Sequence, residues 1–144
     1  MNLQALKALI DGEPENAART DAEVAAWCNQ DSGKPLIGFR NLTAPLMGSV
    51  IGAFRAAQVL DEVAALGSAQ ARWVSWVEGP TPVNVGDAET RASLDTLAAL
   101  PVETVSLTAE EAAKIKALAE RSQTRAEAAG VGRVLPGHVK KARA

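Results

Sequence analysis

The chain has 144 residues, of which 47% are hydrophobic, and its formal net charge is −2 at pH 7. This length can bury a core without a disulfide or a structural metal, and the composition excludes a disordered or collagen-like chain. The single cysteine, Cys28, excludes an internal disulfide, and with one histidine it gives too few ligands for an ordinary zinc site. The longest apolar run, residues 44–54, is about half the length of a membrane-spanning helix. We therefore expect a folded protein with no cofactor, no metal and no membrane partner.

The N-terminal segment predicts two helices. Residues 2–10 repeat leucine and isoleucine at the three-and-four spacing of an amphipathic helix. Thr20 and Glu23 fit a capping box, in which the hydroxyl accepts from a first-turn amide and the carboxylate reaches back to the cap residue. A second helix is therefore expected from residue 21 to about residue 29.

Three more helices are expected between residues 43 and 78. Thr43 is a suitable N-cap for a helix that would bury Phe54 on its apolar face. A second helical run ends at Gly67, and Ser68 can cap the third. On that third helix, Trp73 and Trp76 share one face.

The second half of the chain begins with a break at residues 79–87, where prolines and glycines exclude regular helix. A short helix containing Leu94 should follow and end before Pro101. A minor β segment is expected around 81–85 or 102–107, since the latter stretch is rich in β-branched residues and is ambiguous between strand and helical turn.

The C-terminal third predicts two further helices that could serve as assembly elements. Thr108 and Glu111 form a second capping box, and the alanine-rich run after them predicts one long helix at about 108–129. Gly130 then suits the left-handed residue that ends a helix, and Pro136 begins a short helix at 136–143. The whole pattern predicts an all-α fold, an irregular bundle of about six to seven helices with Gly/Pro-rich loops, in a single domain spanning 1–144.

The stretch GVGRVLPGHVKKARA, at the end of the chain, has two interpretations beyond a helix cap. It lacks the lysine-serine pair of a phosphate loop and does not follow a strand, so phosphate binding is not expected. Its cations contrast with an acidic N-terminal region, which suggests either DNA contact or head-to-tail subunit contact through complementary charge. We rank protein contact above nucleic acid because no aromatic side chains are interleaved to stack on bases. The candidate partner interface comprises Trp73, Trp76, Arg125, Arg133, Lys140, Lys141 and Arg143.

Catalytic signals are scarce. His138 is the only histidine and has no neighbouring carboxylate in the sequence to orient it as a base. No serine lies in a nucleophile-elbow motif. The adjacent pairs Asp61 with Glu62 and Glu110 with Glu111 would point about 100° apart on helices, so we expect them to be solvated. The chain is predicted not to be an enzyme and to have no catalytic residues.

The two ends of the chain carry a set of motifs in the segments LKALIDGEPENAARTDAEVAAWCN and RAEAAGVGRVLPGHVKKARA. These motifs are a leucine-rich helix, an acidic turn, a T-D-A-E-V-A helix, alternating glycines and a terminal A-R-A. In these motifs the chain resembles a family of short helical proteins encoded by tailed bacteriophages. The resemblance covers about a third of the chain, and the segment SLTAEEAAKIKALAE looks like an insertion relative to the family pattern.

The resemblance implies a virion-associated or morphogenesis protein and brings no catalytic residues. The expected function is a non-enzymatic structural or accessory subunit of the tail, neck or capsid, located in the virion and, during assembly, in the host cytoplasm. Its partners would be other phage structural proteins or copies of itself. The alternatives are a DNA-associated phage protein that uses the basic C-terminal region and a small enzyme of unknown class.

Overall fold

A computed structural model describes residues 1–80 and 83–144. Within these residues it confirms the all-α class, with nine α-helices where the sequence predicts six or seven. In chain order the elements are α1 Leu3–Asp11, α2 Asp21–Cys28, β1 Leu36–Ile37, β2 Asn41–Leu42, α3 Ala44–Ile51, α4 Ala53–Ala64, α5 Ser68–Glu78, β3 Val83–Asn84, α6 Ala88–Ala98, α7 Ala109–Lys116, β4 Glu120–Arg121, α8 Arg125–Ala128 and α9 Pro136–Arg143. Two short 3-10 helices, Pro14–Ala18 and Ala117–Ala119, complete the helical content.

The chain forms two compact units where the sequence predicts a single domain. One, the terminal unit, contains Met1–Leu36 and Arg121–Ala144, and the other, the central unit, contains Ile37–Glu120. The physical reason lies in the apolar side chains, which form two separate buried clusters instead of one.

The terminal unit joins the two ends of the chain around one apolar core. Helix α9 packs against both α1 and α2. The core is built from Leu6, Ile10, Val24, Ala25, Cys28, Ala126, Val131, Val134, Val139 and Ala142. Burying a Leu, Ile or Val side chain fully is worth about 1.5 to 3 kcal/mol, so these contacts explain why the two ends of the chain fold together.

Asn29 fixes the register between the two ends of the terminal unit. Its side-chain amide donates to the carbonyl oxygen of Val134 at 2.7 Å and accepts from the Val134 amide at 2.9 Å. Both backbone groups of a residue 105 positions away are thus satisfied by one side chain, which holds the segment before α9 against the end of α2.

The central unit is built on contacts of α3 with α4 and α7, of α4 with α5, and of α6 with α7. Strands β2 and β3 pair antiparallel, with Asn41 opposite Asn84 and Leu42 opposite Val83. The largest fully buried side chains of this unit are Leu42, Met47, Leu60, Leu94, Ile115, Val77, Val85 and Val105.

Local helix signals were predicted well. The structure confirms the capping boxes of α2 at Thr20 and of α7 at Thr108, and it confirms α9 over the predicted residues 136–143. Gly130 has a φ of 74° and ends α8 in a Schellman motif. The Val131 amide donates to the Ala126 carbonyl oxygen and the Gly130 amide to that of Glu127, each at 2.9 Å.

The predicted long helix at 108–129 is wrong. Helix α7 ends at Lys116, and the chain continues as a 3-10 turn, the short strand β4 and then the separate helix α8. The guanidinium of Arg91 donates to the Lys116 carbonyl oxygen at 2.9 Å and forms an ion pair with Glu120, while the Ala119 carbonyl oxygen accepts from the Gly38 amide at 2.7 Å. These tertiary contacts use backbone groups that a continuous helix would need, and they override the alanine-rich helix propensity.

Three smaller predictions also need correction or completion. Phe54 is not in the core, because the chain turns at Gly52 with a φ of 98° and starts a new helix, α4, that leaves Phe54 94% exposed. Ser68 is the first residue of α5 and makes no capping hydrogen bond. Of the two expected β segments, 102–107 is turn and irregular chain, whereas 81–85 contains β3 at Val83–Asn84 and has its first two residues outside the described part.

Candidate protein-interaction surface

Helix α5 carries both tryptophans of the predicted partner interface and places them beside grooves of the central unit. Val74 and Val77 point into the core, so the adjacent face of the helix carries Trp73, which is half-buried, and Trp76, which is 42% exposed. Trp73 lines an apolar groove of about 310 Å³, whose other walls include Val63 and Leu97. One indole therefore belongs partly to the core and the other mostly to the surface.

A second groove, of about 380 Å³, also borders Trp73 and has a different chemistry. Both tryptophans line it, together with Asp87 and Glu89 from the start of α6. Asp87 caps α6 by accepting from the Thr90 amide at 3.3 Å, and Glu89 lies in the first helical turn. This groove thus combines exposed indole surface with two carboxylates, and we call it the acidic tryptophan groove.

Two phenylalanines of the central unit are unusually exposed. Phe54 at the start of α4 is 94% exposed, and Phe39, in the loop between β1 and β2, is 72% exposed. A large aromatic side chain gains most of its stabilising free energy on leaving water, so neither residue stabilises the isolated chain through burial. Sequence analysis assigned Phe54 to the core, because apolar side chains are placed there by default, and it made no prediction for the side chain of Phe39.

Arg125 of the predicted interface is used inside the terminal unit. Its guanidinium lies 4.7 Å from the ring centre of Trp27, and it donates to the Trp27 carbonyl oxygen and to the side chain of Gln30, each at 2.9 Å. Arg19 lies over the same ring at 6.0 Å. Trp27 is thus held by two arginines of its own chain.

Arg143 is also engaged within the terminal unit. It pairs with Asp21 at 2.8 Å and donates to the backbone carbonyl oxygens of Arg19, at 3.0 Å, and Asn16. The complementary charge of the two chain ends, which suggested contact between subunits, is therefore satisfied in part within one molecule. The other three predicted cations, Arg133, Lys140 and Lys141, are exposed and make no hydrogen bond or ion pair with the described residues.

A polar cluster that the sequence did not predict lies in the central unit. Arg55 donates from two nitrogens to the two carboxylate oxygens of Glu111, at 2.8 Å each, and from a third to the hydroxyl of Ser106 at 2.6 Å. Ser106 in turn donates to Glu62 through its hydroxyl and, at 2.7 Å, through its amide. Glu62 and Glu111 were expected to be solvated, and this expectation is wrong because both carboxylates are paired with groups more than 40 positions away.

The cluster shifts the ionisation of its members. Hydrogen bonds from Arg55 lower the pKa of Glu111 to about 2, and the same contact raises the pKa of Arg55. Hydrogen bonds from Ser106 lower the pKa of Glu62. Both carboxylates are therefore ionised at neutral pH, and their lowered pKa values make them weaker proton acceptors than an ordinary glutamate. The arrangement has the character of a structural clamp.

The remaining polar candidates also have structural roles. Cys28 is fully buried in the terminal core, and this burial raises the pKa of its thiol against the opposing charge of Arg125. His138 accepts the Leu135 amide hydrogen through Nδ1 at 3.1 Å, which satisfies a free amide at the start of α9. Residues 1–80 and 83–144 contain no group of three or more histidine, cysteine or acidic side chains placed to hold a metal ion, and no helix among them is both long and apolar enough to cross a membrane.

Comparison of the chain with protein-family models, with curated proteins and with solved structures gave no match. The candidate surface is therefore characterised only by the residues and contacts of this chain. The structure places Trp73 and Trp76 together in the central unit, whereas Arg125, Arg133, Lys140, Lys141 and Arg143 belong to the terminal unit.

Proposed function

We propose that this chain is a non-enzymatic structural or accessory subunit of a tailed-phage particle, associated with the tail, neck or capsid, and that it acts by packing against other proteins. The observation that carries the packing role is the exposure of Phe54, 94% of whose surface faces solvent. The assignment to a phage particle rests on the resemblance of the two chain ends. On this proposal the protein belongs to the virion and passes through the host cytoplasm during assembly.

The exposed aromatics favour protein contact on energetic grounds. Phenylalanine and tryptophan have large apolar surfaces, and in protein interfaces a few such anchors contribute most of the binding free energy. By its helical spacing, Phe54 lies on the side of α4 opposite the buried residues Ala56, Val59 and Val63. Its backbone is therefore held in a helix while its side chain faces solvent. A rigid anchor loses little conformational entropy on binding.

The test is to count copies of the chain in purified particles of the phage that encodes it. We expect quantitative mass spectrometry to find a fixed ratio to the major capsid or tail protein. A phage lacking the gene would be complemented with the wild-type chain, with Phe54→Ser or with Ala57→Ser. Ala57 is an exposed alanine of the same helix, so it controls for the introduced serine.

We expect Phe54→Ser to fold normally and to fall at least about tenfold in particle copy number, because interface anchors commonly contribute 2 kcal/mol or more. Ala57→Ser should incorporate as the wild type does. Absence of the wild-type chain from particles would overturn the proposal, and normal incorporation of Phe54→Ser would overturn the role given to this side chain.

The alternative of a DNA-associated phage protein is favoured by one observation, the exposure of Arg133, Lys140 and Lys141. Duplex DNA binding through these cations would weaken steeply as the salt concentration rises from 50 to 200 mM. It would also weaken when Lys140→Ala and Lys141→Ala are combined. Fluorescence anisotropy with a labelled duplex tests both effects, and binding that is absent or insensitive to salt removes this alternative.

A further inference from the structure

The acidic tryptophan groove has two carboxylates without a cation. Asp87 and Glu89 are exposed, and neither makes an ion pair in the part of the chain that the structure describes. Trp76, on the facing helix, presents exposed indole surface to the same groove. A ligand that suits both features must have a positive charge and a flat or apolar body that can lie on an aromatic ring.

In the terminal unit the chain itself supplies groups of this kind, because two of its arginines lie on a tryptophan ring. The ring of Trp27 is covered by the guanidinium groups of Arg125 at 4.7 Å and Arg19 at 6.0 Å. These two are the arginine–indole contacts found among residues 1–80 and 83–144, and both involve Trp27. The groove at Trp73 and Trp76 instead has two carboxylates and, among the described residues, no arginine over its indoles.

We propose that the acidic tryptophan groove binds an arginine side chain of a partner protein, with its guanidinium on the indole of Trp76 and against the carboxylates of Glu89 and Asp87. Arginine fits better than lysine because its planar, weakly hydrated guanidinium stacks on an aromatic face while still donating to carboxylates. A volume of about 380 Å³ accommodates the side chain together with part of its backbone. That the arginine belongs to a polypeptide rests on the proposed packing function.

Glu89 and Asp87 can be neutralised without disturbing the fold. The side chain of Glu89 makes no hydrogen bond to the described residues, so Glu89→Gln removes only its charge. Asp87 caps α6, but asparagine is an equally good cap residue, so Asp87→Asn keeps the hydrogen bond from Thr90 and removes the charge. Glu103, an exposed carboxylate that does not line the groove, gives the matched control Glu103→Gln.

The experiment titrates the full-length, ¹⁵N-labelled chain with the peptide acetyl-Gly-Arg-Gly-Arg-Gly-amide and follows its three indole N–H resonances by NMR. A peptide with citrulline in place of arginine has almost the same shape without the charge. We expect the arginine peptide to shift the resonances of Trp73 and Trp76 in a saturable manner and to leave Trp27 unmoved. The citrulline peptide should bind at least about threefold more weakly, and Glu89→Gln and Asp87→Asn should each raise the Kd about two- to fivefold, with Glu103→Gln unchanged.

Equal shifts with the citrulline peptide, no saturable shift of Trp76, or Kd values unaffected by both groove variants would each overturn the proposal. The peptide titration and the count of copies in particles can each fail without the other. A chain that is present in particles but does not bind the arginine peptide refutes this inference alone, and a chain that binds the peptide but is absent from particles refutes the phage function alone.

Discussion

The guanidinium of Arg55 and the carboxylate of Glu111 face each other through two hydrogen bonds of 2.8 Å, although 56 positions separate them in the chain. Both side chains are largely withdrawn from water, Glu111 being only 17% exposed. A two-pronged contact of this kind is stronger and more directional than an ordinary surface ion pair. It fastens the start of α7 to α4 in the central unit.

Removing one charge of this pair should destabilise the fold. We expect Glu111→Gln to lower the free energy of unfolding by about 1 to 3 kcal/mol, because a partly buried arginine loses its charged partner. Its neighbour Glu110 is 83% exposed and lies 3.8 Å from Lys114, so Glu110→Gln should change stability by less than about 0.5 kcal/mol. Urea denaturation followed by circular dichroism compares the two, and equal effects would contradict the clamp.

The same pair predicts how stability depends on pH. The pKa of Glu111 falls from its ordinary value of 4.5 to about 2 in the folded chain, chiefly through the hydrogen bonds from Arg55. Its contribution is therefore complete above pH 4.5 and is lost as the pH falls toward 2, because the unfolded state takes up the proton first. Denaturation series at pH 7, 4.5 and 3 should show a smaller acid loss for Glu111→Gln than for the wild type. Parallel losses in the two proteins would show that Glu111 does not titrate in this window.

Glu111 also shows how far sequence reasoning reaches. Its role in the capping box with Thr108 was predictable, because both residues lie within one helical turn. Its contact with Arg55 was not, because no local pattern indicates which distant side chain meets it. The same division explains the candidate surface: the helical face shared by Trp73 and Trp76 follows from their spacing, whereas the two carboxylates that complete the groove come from the next helix.

The end of α7 shows the opposite case, in which a strong local signal misleads. Alanine, leucine, glutamate and arginine favour helix through residues 117–121, yet the chain leaves the helix after Lys116. The side chain of Arg91 satisfies the Lys116 carbonyl oxygen that a continuing helix would have used. Helix propensity amounts to only tenths of a kcal/mol per residue, so a few tertiary contacts are enough to end a helix.

The engagement of Arg143 predicts a measurable effect at the C-terminus. Arg143→Ala removes the ion pair with Asp21 and two hydrogen bonds to backbone carbonyl oxygens, so we expect a loss of about 1 to 2 kcal/mol in the terminal unit. Lys141→Ala, at an exposed position of the same helix, should have little effect. Hydrogen exchange followed by mass spectrometry should show faster exchange in α9 for Arg143→Ala alone. Unchanged exchange would mean that the apolar residues hold this helix without the arginine.

Gly130 and Gly137 make a matched pair whose replacement by alanine should have effects of opposite sign. Gly130 has a left-handed φ of 74°, and a Cβ there would meet no atom within 4 Å, so Gly130→Ala tests backbone strain alone and should destabilise by about 1 kcal/mol. Gly137 lies in α9 with no positive φ and equally open space around its Cβ position. Gly137→Ala should therefore stabilise the chain by about 0.4 to 1 kcal/mol, since alanine restricts the unfolded chain and favours helix. Thermal unfolding of both variants measures the difference, and a Gly130→Ala protein as stable as the wild type would show that the left-handed turn after α8 is not required.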